Sequence, residues 1–175
     1  MEEELVIYNR SDIVNFMNTG TSEEPVFKRM QGFTSGGKEL NSKTYSRQYV
    51  DEDFERESTT GYSPSIPYNL DRIKDNAVHE KIVKVHEDEV KGAVVEILTV
   101  DMVNNEARLR SYNVNPENQG DGTDAYTYSG TFKSCGKMKK GTATVSADGL
   151  TATFKEEGAS QANAQSDEQE EGAEG

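Results

Sequence analysis

The pair His79-Glu80 carries the first half of a zinc-protease signature, in which a second histidine four residues on shares the helical face and both rings bind the metal. The partner position is Val83, so that chemistry is excluded. His79 and His86 fall two turns apart on roughly one side of a helical stretch, but a structural metal takes about four ligands. The single cysteine, Cys135, is remote in sequence. Asp121 and Asp124 lack the acidic spacing and closing glutamate of a calcium loop and read as turn residues. Neither a Gly-x-Ser-x-Gly elbow nor a Gly-x-x-x-x-Gly-Lys phosphate loop occurs. The sequence therefore predicts no catalytic residue, no metal, no cofactor and no enzyme.

One pattern stands apart from this. If the chain is extended after position 50, Asp51, Asp53, Glu55 and Glu57 share one side at the strand period of two, and Glu52, Phe54 and Arg56 share the other. Two readings are open: a solvated rim, or an acidic ribbon with Phe54 as the anchor on its reverse, presented to a neighbouring subunit or to a channel. The pattern opens a polar excursion over 51–65 of roughly 15 to 18 residues, where compact domains connect their elements in about 4 to 6. Tyr49, Phe54, Tyr62, Ile66, Pro64 and Pro67 punctuate it, a composition that suits docking better than disorder.

The formal charge of −13 argues against nucleic-acid binding, because affinity for phosphate comes mostly from Lys and Arg displacing counterions. Residues 156–175 contain seven acidic and no basic side chains, leaving −6 on the remainder. That acidity serves solubility, or else a surface that passes close to DNA without holding it. No apolar run of about 20 residues exists to span a bilayer, and Met-Glu-Glu-Glu is no signal-peptide start. A soluble protein made in a cytoplasm is expected. The lone Cys135 rules out an intrachain disulfide and reads as a small core or interface residue.

At 175 residues and 33% hydrophobic content, the chain suits one domain with appendages. Residues 1–24 read as an N-terminal arm or first strand, with a strand or short turn near 12–17. Strands are predicted over 26–33, 44–50 and 66–73, where Tyr68, Leu70 and potentially Arg72 share a face and Pro67 must sit at the start or on an edge. Asn76 is a good helix N-cap, and Val78, Ile82 and Val85 form the apolar stripe of a surface helix over 76–90, with Gly92 as its stop. A hairpin follows over 93–103 and 107–113 about Asn104-Asn105, then a Gly/Asp/Asn loop over 116–124. In the next strand, 125–135, Tyr126, Tyr128 and Phe132 alternate onto one side around Gly130. The last hairpin, 142–147 and 151–155, points Ala143, Val145, Ala152 and Phe154 inward. From 158 onward the composition cannot build a core and predicts an acidic disordered tail, 158–175. The elements add up to a mainly β domain over 25–157: a two-sheet sandwich or partly open barrel with one helix.

The phrases Tyr49-Val-Asp-Glu-Asp-Phe54, Tyr62-Ser-Pro-Ser-Ile66 and Asp75-Asn-Ala-Val-His-Glu80, with the order of elements over 26–155, resemble the major tail tube proteins of long non-contractile-tailed (siphovirus-type) bacteriophages and prophages of Gram-positive bacteria. Ala77 departs from the proline that relatives often carry at the first helical position, a swap a helix tolerates. The resemblance implies two packed antiparallel sheets flanked by one α-helix, in a protomer of a hexameric ring whose inner sheets join into a continuous barrel. It implies rings stacked through the long loop, here Tyr49, Asp51, Asp53, Phe54, Glu55, Tyr62 and Ile66. Asp51, Asp53, Glu55 and Glu57 become candidate lumen charges. The implied partners are further copies of itself, the tape-measure protein, the tail terminator and the baseplate or distal tail proteins, with DNA as transiting cargo not specifically bound and no membrane. Its place would be the virion tail, assembled in the bacterial cytoplasm. Three alternatives stay open: a capsid or decoration protein, a contractile-tail tube protein, and a carbohydrate-binding sandwich with Tyr62, Tyr68, Tyr126 or Tyr128 as a sugar platform.

Overall fold

The structure is a computed structural model and describes residues 6–158; the acidic tail from 159 onward and residues 1–5 of the expected arm lie outside the described residues. A single 3-10 turn, Arg10–Asp12, leads into β1 (Ile13–Asn18), β2 (Phe27–Arg29), β3 (Phe33–Ser35), β4 (Ser42–Gln48), β5 (Glu55–Tyr62) and β6 (Ser65–Asp71). Then come α1 (Ala77–Glu87), β7 (Val94–Asp101), β8 (Glu106–Gln119), β9 (Thr127–Ser134), β10 (Lys139–Val145) and β11 (Thr151–Glu156). Over the described residues the protein is mainly β with one helix: nine strands hydrogen-bond in the order β10-β11-β2-β1-β7-β8-β9-β6-β3, and β4 and β5 form a separate two-stranded sheet.

The chain divides into two compact units. One holds the described residues up to 30, with 96–110 and 137–158; the other holds 31–95 and 111–136. In the first, β10 pairs with β8 as well as with β11, so the strands β10-β11-β2-β1-β7-β8 close into a ring. Closure leaves no unpaired edge in that circuit. Its interior is filled by alternate residues of each strand: Val14 and Phe16 of β1, Phe27 of β2, Leu98 and Val100 of β7, Ala107 and Leu109 of β8, Ala143 of β10 and Ala152 of β11. Val145 and Phe154 pack against them, and the register opposes Ala143 to Phe154 and Val145 to Ala152, as the alternation predicts. Burying a side chain such as Phe16 contributes about 1.5–3 kcal/mol. Asn18 ties the turn after β1: its Oδ1 accepts from the amides of Gly20 and Val26, and its Nδ2 donates to Glu96 Oε2 at 2.8 Å.

In the second unit β3, β6, β9 and the later part of β8 pair in that order. Ile66, Tyr68 and Leu70 of β6 and Tyr128 and Phe132 of β9 bury one face. Gly130 lies directly opposite Tyr68, and a side chain there would drive a Cβ to 2.6 Å from the Tyr68 hydroxyl and 2.4 Å from the Asn115 carbonyl. Only glycine fits. The same unit contains α1, whose N-cap is Asn76: its Oδ1 accepts from the amides of Val78 and His79.

Several expectations shift. The strand foreseen over 26–33 is two short strands, because Gly32 takes a left-handed φ of 72° and turns the chain between them. β8 continues through Pro116 to Gln119, so the loop expected over 116–124 starts later; a register shift at Pro116/Asn118 absorbs the residue that cannot donate. Tyr126 precedes β9 and is exposed, its ring 5.3 Å from that of the buried Tyr128. The excursion over 51–65 is largely regular structure, since residues 55–62 are β5 paired to β4. Cys135 is exposed just past β9, so it is no core residue.

Candidate functional site

The histidines serve the fold of the second unit. Ile73 donates its amide to His79 Nδ1 at 3.0 Å, and His79 Nε2–H donates to the Gln31 carbonyl at 2.6 Å, so both ring nitrogens are spent. His86 Nε2 shares a 2.7 Å hydrogen bond with the Tyr68 hydroxyl and packs edge-on to Tyr128. Burial holds the His86 ring below its ordinary pKa, against the opposing pull of Glu87. Burial also raises the Tyr68 hydroxyl, and burial together with the hydrogen bond to Glu87 pushes Tyr128 up to about 12. Tyr128 donates to Glu87 Oε1 at 2.7 Å, while Arg72 bridges Glu80 and Glu87 at 3.5 Å each. This network clamps α1 onto β6 and β9. Sequence reasoning saw Val78, Ile82 and Val85 as the buried stripe; His79, Val83 and His86 are buried too, because tyrosine and carbonyl partners satisfy the imidazoles. Among the described residues no three His, Cys, Asp or Glu side chains converge as a metal site would need. With Tyr68 and Tyr128 buried and bonded, only Tyr62 and Tyr126 of the suggested sugar platform reach solvent.

Among the described residues, the β4–β5 ribbon is the strand pair that buries neither face. Its base is pinned by Asn41, which takes a left-handed φ of 47° and donates Nδ2 to the Ser63 carbonyl and to Ser65 Oγ at 2.9 Å. From there the strands pair from Ser42↔Tyr62 to Gln48↔Glu55, and a turn over 49–54 closes the tip. Every residue of β4 is exposed, as is every residue of β5 except the half-buried Gly61. A two-stranded ribbon bare on both faces has no core of its own and is marginal in water.

Pairing fixes which residues share a face. Gln48↔Glu55, Ser46↔Glu57 and Thr44↔Thr59 place Glu55 and Glu57 on a polar, carboxylate face. Arg47↔Arg56 and Tyr45↔Ser58 make the reverse face. There Arg47 and Arg56 both lie over the Tyr49 ring, at 5.9 and 6.0 Å from its centroid, and Arg56 also lies over Phe54. Arg47 donates to the Tyr45 hydroxyl at 3.1 Å. Arg56 ion-pairs with Glu52, donating from Nε at 2.7 Å.

Of the residues foreseen for stacking, Tyr49, Phe54 and Tyr62 are exposed on the ribbon, with Asp51 and Asp53 in its tip and Glu55 opening β5. Ile66 is not among them: it is buried in β6, facing the core at period two with Tyr68 and Leu70. The four carboxylates foreseen on one side divide, because the tip turns before β5 begins; Glu55 and Glu57 alone share a strand face. The sequence reading places Arg56 with Phe54 on the reverse of the acidic side but does not reach Tyr45 and Arg47, although Tyr45, Arg47 and Tyr49 stand at the strand period in the sequence.

No family model and no curated protein matches this sequence. Solved structures do. A chain from the tail of an empty gene transfer agent particle, refined helically with C6 symmetry, is similar over 75% of this chain and 97% of its own, with a TM-score of 0.55 at 14% identity. A chain from the virion of a native gene transfer agent particle matches over 77% and 98%, with a TM-score of 0.54 at 15% identity. A chain of the anti-feeding prophage baseplate, 6-fold symmetrised, covers 80% and 97% at 9% identity and a TM-score of 0.43. The likeness in fold rests on the first two.

Proposed function

We propose that this protein is a structural subunit of a phage-type tail tube, with no catalytic role. The observation that carries this reading is a mainly β fold like that of chains in gene transfer agent particles, joined to a ribbon exposed on both faces. Copies assemble into hexameric rings, and the β4–β5 ribbon, with Tyr49, Phe54 and Tyr62, reaches the next ring in the stack. The tube conducts DNA on ejection from a siphovirus-type particle. Its acidic wall repels phosphate within a Debye length of about 8 Å at physiological salt; Asp51 and Asp53 at the ribbon tip are the carboxylates assigned to the lumen. A tape-measure protein, a tail terminator and distal tail proteins complete the assembly, which forms in the host cytoplasm. Negative-stain microscopy of the purified chain tests the proposal: hollow tubes or six-fold rings are expected, and a protein that stays monomeric at high concentration overturns it.

A further inference from the structure

The two faces of the ribbon differ in chemistry, and the geometry points to neighbouring copies packing ribbon on ribbon, the arginine–aromatic face of one copy against the Glu55/Glu57 face of the next. The inference rests on the self-assembly reading and names the surface that a second copy occupies.

Four observations carry it. First, Arg47 stands directly opposite Arg56, and like charges in register across an antiparallel pair are destabilising. Glu52 neutralises Arg56, whereas among the described residues Arg47 has only neutral partners, the Tyr45 hydroxyl and the Tyr49 ring. A guanidinium offers five donors in a planar fork that matches a carboxylate, so most of the Arg47 fork is open to one. Second, on the other face Glu55 and Glu57 have no ion pair among the described residues, and their direct neighbours Gln48 and Ser46 bring no charge. Their side chains stand about 7 Å apart along the strand, leaving either within reach of an arginine that slides in from a parallel ribbon. Third, the reverse face has the composition of an interface anchor: tyrosine and arginine are enriched in binding hot spots, and here the two guanidinium groups lie over Tyr49 and Phe54 while Arg47 donates to the Tyr45 hydroxyl. Fourth, complementary faces on one element suit a head-to-tail contact that repeats without closing, as successive rings of a stack require. Each copy then gives one face and receives the other.

The contact is small. Seven paired positions at about 3.4 Å per residue and two strands about 4.8 Å apart give roughly 240 Å² per face, well under the approximately 800 Å² per partner of a stable complex. The ribbon pair therefore selects register and handedness inside a larger interface. It does not hold two copies together alone.

Charge reversal in the full-length chain tests this, read by negative-stain microscopy and sedimentation, with circular dichroism as the folding control. Arg47→Glu, and separately Glu55→Lys with Glu57→Lys, should each raise the protein concentration needed for assembly by at least about tenfold, the scale of one lost close charge pair. An equimolar mixture of the two variants should assemble again, because alternating copies restore every opposite-sign contact, and the triple variant should assemble by itself. Variants that assemble as readily as the parent chain, or a mixture of folded variants that fails to recover, overturn the ribbon pairing while tubes of the parent chain leave the tube proposal standing. A parent chain that never assembles sinks the tube proposal first.

Discussion

The closed strand circuit of the first unit and the β4–β5 ribbon are made from the same kind of strand and meet opposite fates. In the circuit every strand has two neighbours, and one residue in two is buried among Phe16, Phe27, Leu98 and Val100. In the ribbon each strand has one neighbour and no buried face. Hydrogen bonds are present in both, so the difference lies in apolar area removed from water. A strand pair that lacks that area is marginal in water by itself.

Four substitutions sharpen the contrast, from the largest effect on folding to the smallest. Phe16→Ala empties the middle of the circuit, and about 3–5 kcal/mol of stability should be lost in urea unfolding. Tyr68→Phe leaves the buried His86 without its hydroxyl partner and should cost about 1–3 kcal/mol. Asn76→Ala removes the oxygen that caps two amides of α1, a loss of about 1 kcal/mol. Tyr49→Ala on the ribbon should change unfolding by no more than about 0.5 kcal/mol, yet assembly followed by light scattering should collapse. A Tyr49→Ala protein that unfolds much earlier would mean that the ribbon contributes to the monomer after all.

Acid gives a further test through His86. Burial lowers its pKa in the folded state, so folding favours the neutral ring. Its contribution is fully present above the ordinary histidine value near about 6.5, and is lost as the pH falls from there through the lowered folded value. Urea midpoints should therefore drop between pH 7 and 5, and less so in His86→Asn.

Much of this was legible in the sequence, and where it was not the reasons are physical. Asn76, the 3.6-residue stripe of α1, and the inward Ala143, Val145, Ala152 and Phe154 depend on local spacing, which the sequence displays directly. β1 and the hairpin about Asn105, which takes a left-handed φ of 62°, follow the same logic. β4 is legible as the strand predicted over 44–50, whereas β5 falls inside the excursion over 51–65 because Glu55-Arg-Glu-Ser-Thr-Thr lacks the apolar alternation that marks a strand against a core; it has no buried face. Its charges alternate instead, a period-two signal that Arg47 and Tyr45 continue on β4. Ile66 is buried rather than on the docking surface, and the sequence is ambiguous there because Ile-Pro-Tyr reads equally as the end of a loop or the start of a strand. The imidazole clamp was beyond reach, since Gln31, Tyr68 and Tyr128 meet His79 and His86 only through tertiary packing.

The lone thiol at Cys135 has a practical consequence. It is the sole cysteine of the chain and it stands in solvent past the end of β9, so a maleimide spin label would attach to each copy at one known place, with no background from other sulfurs. Pulsed dipolar spectroscopy on such material would see no defined spacing from isolated molecules. Six labels arranged on a hexagon would give a short series of spacings in fixed proportion, a ruler already built into the natural chain.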